Sequence, residues 1–181
     1  MSLFLVREEG VEPSLGGFRD RCLSTWLLPS EVFMQTFLPY PHFYLSAHVL
    51  DMKRLGKQRV EALQIWRILS NPSLQTKWRN HPAVLMWTGC TDALAVYMDC
   101  MIKEWVRRGY RNTIPLSGLW NIDLPWWFGD PEFHSAHRSI LLAKNPTWYQ
   151  QFRWQEKPAI KTGNRWPYKW PVRAVGIEPN F

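Results

Sequence analysis

SAHVLDMKRLGKQRVEALQIWRIL, residues 46–69, decides how this chain folds. Leu45, Val49, Met52, Leu55, Ala62, Leu63, Trp66 and Leu69 recur near helical spacing, and Ser46 is placed to cap the segment. The spacing predicts one long helix, stopped by Asn71 and Pro72. Gly56 costs about 1 kcal/mol against alanine inside it, so a break or a close approach of another backbone is expected there.

The same reading extends outward. Downstream, WRNHP (78–82) introduces a second helix, with Asn80 or His81 as cap and Pro82 in the first turn, where its missing N–H costs nothing. Leu85, Cys90 or Thr91, Leu94, Met98, Met101, Ile102 and Trp105 carry the apolar side until Gly109. Residues 110–130 read as a loop. Asp130 and Pro131 open a third helix, PEFHSAHRSILLAK, and Pro146 opens a short turn, PTWYQQF. Upstream, MQTFLPYPHFYL (34–45) holds Pro39 and Pro41, so it is an extended arm packed by Phe37, Leu38, Tyr40 and Phe43. With no hairpin signal and no repeat, the expected fold is a single all-α domain with long loops and an N-terminal arm.

Composition bounds the class. The chain has 181 residues, 46% hydrophobic and 20% charged, which suits one domain and excludes a disordered or collagen-like chain. No apolar run approaches the roughly 18 residues of a membrane span. Three cysteines match no zinc pattern, and a reduced, cytoplasmic, monomeric protein is the expectation. The formal charge is +7, distributed unevenly: residues 1–33 carry −2 and the remainder +9. REEGVEPSLGGFRDRCLSTW (7–26) is similar to a translated transfer-RNA gene, and the expected start is Met34. The expected organisation is a non-native or disordered extension over 1–33, a helical domain over 34–171 and a tail over 172–181.

The positive charge and 12 tryptophans favour an anionic partner with bases to stack on. Lys53, Arg54, Lys57 and Arg59 fall within seven residues, enough to hold successive phosphates. Crowding would also depress a lysine pKa and so favour a neutral amine. Glu61 is the single acid between Asp51 and Asp92, and a general acid–base role in this region falls to it. His134, His137 and Arg138 share a predicted helix face and read as phosphate contacts, with His81 near them at a helix start. No spacing suits a metal, and no nucleotide or acyl-transfer fingerprint occurs, so no cofactor is expected. Trp66, Trp87 and Trp105 read as core, together with Cys90 and Cys100. Trp126, Trp127, Trp166 and Trp170 are the candidates for base stacking.

MQTFLPYPHFYLSAHVLDMKRLGKQRVEALQI (34–65), WRNHPAVLMW (78–87) and GDPEFHSAHRS (129–139) resemble the divergent bacterial branch of the pyrimidine dimer DNA glycosylase superfamily, typified by phage endonuclease V. LGKQRVEA, RRGYRN (107–112) and NPTWYQQF (145–152) carry the more distant similarity to the phage enzyme. The resemblance implies a compact helical protein acting on damaged or abasic duplex DNA. An N-terminal α-amine attacks the sugar C1′, an imine forms, and β-elimination nicks the strand, with a glutamate assisting and arginines gripping phosphates. Carried onto this chain, it makes Met34 or Gln35 the amine, Arg59 a phosphate contact and Glu61 the acid. With Arg59 aligned, Val60 stands where the family has its glutamate. Two other readings use the same residues: a non-catalytic nucleic-acid binder on this scaffold, and an enzyme of different chemistry using His81, His134 and His137.

Overall fold

In a computed structural model, residues 34–172 are described, all within the unit Met34–Phe181. The expectations for 1–33 and for the tail beyond Val172 lie outside the described residues. The secondary structure is helical: α1 (Phe43–Val49), α2 (Met52–Ser70), α3 (Pro82–Leu85), α4 (Thr91–Arg107), α5 (Pro131–Lys144) and α6 (Pro146–Tyr149), followed by a 3₁₀ turn over Gln150–Phe152. Among the described residues there is no sheet; Thr162 and Arg165 form one isolated bridge. The all-α expectation holds. No helix among these residues is long and apolar enough to cross a membrane.

Two of the expected long helices are broken. The apolar period runs unbroken from residue 45 to 69, yet Leu50 is extended and Asp51 caps α2 with its carboxylate on the Arg54 N–H. Ser46, expected as a cap, lies inside α1, and its hydroxyl is tied to the Tyr40 backbone. The second interruption separates α3 from α4, where Gly89 adopts a positive φ of 77° that side chains disfavour. His81 does cap α3, accepting from Ala83 N–H, and Asp130 caps α5 through Glu132 and Phe133. Gly109, at φ 85°, closes α4 as its position suggests.

The core lies between α2 and α4, with α1 and α5 covering its ends. Ala62 and Ile65 on α2 face Leu94, Met101 and Ile102 on α4, all fully or almost fully buried. At Gly56 the helix neither breaks nor meets another backbone; a side-chain ring fills the space instead, and a methyl group there would stand 2.8 Å from the Trp105 ring. Trp87 and Trp127 fill the core, the latter against its expected role in stacking. Trp66 is 36% exposed instead of core, and Cys90 and Cys100 are half-buried. One charge is built into the frame. Glu104 is enclosed, and burial alone would raise its pKa, but hydrogen bonds from Arg107 and Arg108 hold it at about 2. Arg108 then reaches the carbonyls of His48 and Leu50, which locks the α1–α2 corner onto α4.

Candidate active site

The arm, residues 34–41, runs extended across the helices without any partner strand, and its first six residues are buried. Buried peptide groups need partners, and here side chains supply them. Gln58 on α2 works as a clamp. Its Nε2 donates to Gln35 O at 2.8 Å and its Oε1 accepts from Phe37 N at 2.8 Å. Tyr97 of α4 places its hydroxyl 2.7 Å from the same Oε1 and 3.0 Å from Phe37 O. Thr36 Oγ1 accepts from the Trp87 indole. From α5, His137 Nδ1 accepts from Leu38 N, His134 Nδ1 donates to Leu38 O at 2.7 Å, and Arg138 donates to Pro39 O at 2.6 Å.

These contacts correct the reading of the histidine group. His134 and His137 are buried, and their Nδ1 atoms serve the arm instead of a phosphate, while their Nε2 atoms have no hydrogen-bond partner among the described residues. Burial drives the His137 pKa down to about 3, helped by the nearby His134 and Arg138, so its imidazole is neutral and presents a lone pair to Leu38. Burial lowers His134 as well. Arg138 is occupied by Pro39 O and by Glu156. His81, capping α3, meets the rings of Trp78 and Trp170. The helix face expected to grip DNA is the face that holds the arm.

Beside the start of the arm stands Glu61, 3% exposed, whereas Val60 is 43% exposed. The one-residue step between them turns Glu61 inward and Val60 outward. Glu61 Oε2 accepts from Gln58 Nε2 at 2.6 Å, and Oε1 lies 3.2 Å from Lys57 Nζ without hydrogen-bond geometry. Burial raises its pKa to about 7; Lys57, Gln58 and the backbone N–H of Gln35 pull the other way without cancelling it. Met34 and Gln35 are both buried here, and Gln35 Oε1 has no hydrogen-bond partner among the described residues. The three residues expected to carry the chemistry are therefore neighbours, although Met34 and Glu61 lie 27 positions apart.

The cationic quartet does not form one surface. Lys53 and Lys57 are exposed, and Arg54, half-buried, pairs with Asp51 and lies over the Tyr149 ring. Arg59 points away from Lys57, with its guanidinium 4.2 Å from the Trp105 ring and bonded to Asn112 Oδ1 at 2.6 Å. At 100° per residue, positions 57 and 59 cannot share a face. The cations near Glu61 are completed instead by Lys144, whose charge is felt together with those of Arg54, Lys161, Lys57 and Glu61. Lys144 and Lys161 place their ammonium groups 4.6 and 5.0 Å from the Trp166 ring. Tyr168 closes this side, and burial and the Glu61 charge push its hydroxyl well above the ordinary tyrosine range.

Gln58, Tyr97, Lys144 and Tyr168 have no motif to announce them. A neutral amide gains meaning only through the arm 21 residues before it, and Lys144 at a helix end reads as a dipole partner. Among the described residues no group of three histidine, cysteine or acidic side chains stands ready for a metal ion. A separate open cleft of about 330 Å³ lies between His48, Met52, Arg107, Arg108, Trp148 and neighbours, and Glu104 already occupies its arginines.

Neither a curated protein nor a solved structure matches the chain. Residues 34–117, which contain the arm, α1 to α4, the Gln58 clamp and Glu61, match the pyrimidine dimer DNA glycosylase family. The segment that carries the arm, the Gln58 clamp and Glu61 thus matches the model of the pyrimidine dimer DNA glycosylase family.

Proposed function

We propose that the protein is a repair glycosylase and abasic-site lyase acting on duplex DNA that contains damaged pyrimidines or abasic sites, through an imine. The observation that carries this reading is a buried carboxyl, held near pH 7, packed against the arm nitrogen of Gln35 and rimmed by cations. A primary amine attacks C1′ and displaces the damaged base, or adds to the aldehyde of an abasic sugar. Glu61, half-protonated at neutral pH, gives a proton to the departing oxygen and later removes one from C2′. Freed as a chain terminus, the arm supplies such an amine at Met34 or Gln35. Its reference pKa of about 7.7–8.0 is far below that of an ordinary lysine.

Lys53, Arg54 and Lys57 line the approach and take the flanking phosphates. A damaged or missing base lowers the cost of extruding the nucleotide to the pocket. The histidines are spent on the arm, and the arm in turn places the Gln35 nitrogen against Glu61. Sodium borohydride should freeze the protein onto an abasic duplex as a covalent adduct. Strand cleavage that leaves no adduct and stops on addition of a chelator would refute the imine reading.

A further inference from the structure

Lys144 is the last residue of α5, and it sits where three separate parts of the chain converge. Its ammonium lies over the Trp166 indole, which Lys161 shares from the C-terminal loop. Across the α5–α6 corner, Arg54 lies over Tyr149, five residues beyond Lys144. Lys57 and Glu61 complete the surroundings from α2. The other cations here have less freedom to act as nucleophiles. Lys57 is held at the Glu61 carboxylate, Arg54 is held by Asp51, and Lys161 is exposed. Lys144 forms no ion pair among the described residues, although it is half-buried. The pocket also contains two buried acceptors without hydrogen-bond partners among those residues, Glu61 Oε1 and Gln35 Oε1.

A half-buried ammonium among like charges, with no paired carboxylate, is a group made ready to lose its proton. We propose that Lys144 is an imine-forming amine of this pocket, acting on the ring-opened sugar of an abasic site with Glu61 as its proton carrier. The proposal rests on the lyase reading above and adds to it a nucleophile that exists whether or not the arm ends at residue 34 or 35. In support, burial first, and then the charges of Arg54, Lys161 and Lys57, bring the Lys144 pKa down to about 8.

The chemistry closes without an oxidant or reductant. Neutral Nζ adds to the C1′ aldehyde, one proton shifts from the new N–C adduct nitrogen to its oxygen, and that hydroxyl takes a second proton from the Glu61 carboxyl and leaves as water. The iminium so formed acidifies C2′. The Glu61 carboxylate removes that proton, the electron pair moves toward the iminium, and the C3′–O bond breaks with the phosphate as leaving group. Water then hydrolyses the unsaturated imine and frees Lys144.

The test is borohydride trapping of the full 181-residue chain on an abasic duplex, followed by peptide mapping. The adduct is expected on Lys144, and Lys144→Arg is expected to lose it while duplex affinity and the thermal melt stay unchanged. Arginine keeps the charge and the stacking on Trp166 without a usable nucleophile. An adduct found only on another amine of the chain, such as Lys53 or Lys57, undiminished in Lys144→Arg, would overturn the assignment of Lys144 and leave the imine mechanism standing. A bound, abasic duplex that yields no adduct anywhere would overturn both.

Discussion

Glu61 lies in surroundings that favour its neutral form, and that has a measurable cost. Its pKa is about 7 in the folded protein against an ordinary 4.5, so the native state holds its proton more tightly than the unfolded chain. Stability from this group is therefore complete below pH 4.5 and is lost as pH rises through about 7. The shift corresponds to about 3 kcal/mol. Glu61→Gln keeps the shape and removes the titration. At pH 8 it should melt at a higher temperature than the natural protein, and the gain should shrink toward pH 5. The same variant should lose strand cleavage, because the proton carrier is gone. A melting curve with no pH-dependent difference between the two proteins would show that the carboxyl is not held neutral.

Gln58 teaches a related lesson about reading residues. Glu61 is legible in the sequence as the lone acid of its stretch, but the sequence pattern does not show which way it faces. That direction is fixed by the Gln58 contacts to both the arm and the carboxylate. Hydrogen bonds between distant segments leave no period in the sequence.

At the scale of elements, α2 and α4 are joined by a fit as well as by burial. Gly56 to Ala in a helix normally adds about 1 kcal/mol of stability. Here the new methyl would meet the Trp105 ring, which is itself stacked under Arg59 and bonded to Arg111 O. Gly56→Ala should instead destabilise by about 1 to 3 kcal/mol, as overpacking does. Urea unfolding checks this, and pairing the change with Trp105→Leu should recover part of the loss. Helix ends were legible wherever a capping residue met a proline, as at His81–Pro82 and Asp130–Pro131. The breaks at Leu50–Asp51 and Gly89–Cys90 were not. Apolar spacing continues straight through both, and only tertiary packing selects a corner over a continuous helix.

Across the whole molecule, the division of the α2 cations sorts binding from structure. Lys53 is exposed near the Lys57–Glu61 rim, whereas Arg59 is fastened to Trp105 and Asn112 on another side. Lys53→Glu should weaken binding to every duplex sequence and flatten the salt dependence, since fewer counterions are released. Arg59→Glu should leave the salt slope nearly unchanged and lower the urea midpoint. Equal effects on the slope would mean that DNA wraps both sides. Composition pointed correctly to an excess of positive charge, but its placement required the fold. Lys144 and Lys161 enter this rim from the far end of the chain, beyond the reach of any local pattern.

The side-chain ladder along the arm has a consequence on the timescale of minutes to hours. The segment carries no helix and no sheet, so by its backbone alone it should trade its amide hydrogens with solvent as readily as a loop. Yet the N–H groups of Phe37 and Leu38 are buried and each is held by one side-chain atom, Gln58 Oε1 and His137 Nδ1. Their deuterium uptake should follow that of the α2 and α4 core, while the amides of exposed Trp120 and Asn121 equilibrate early. Because His137 accepts only when unprotonated, Leu38 should lose its protection on strong acidification sooner than Phe37, whose partner is an amide that does not titrate. Residue-resolved exchange would thus give the arm two separate clocks, one of which runs on pH.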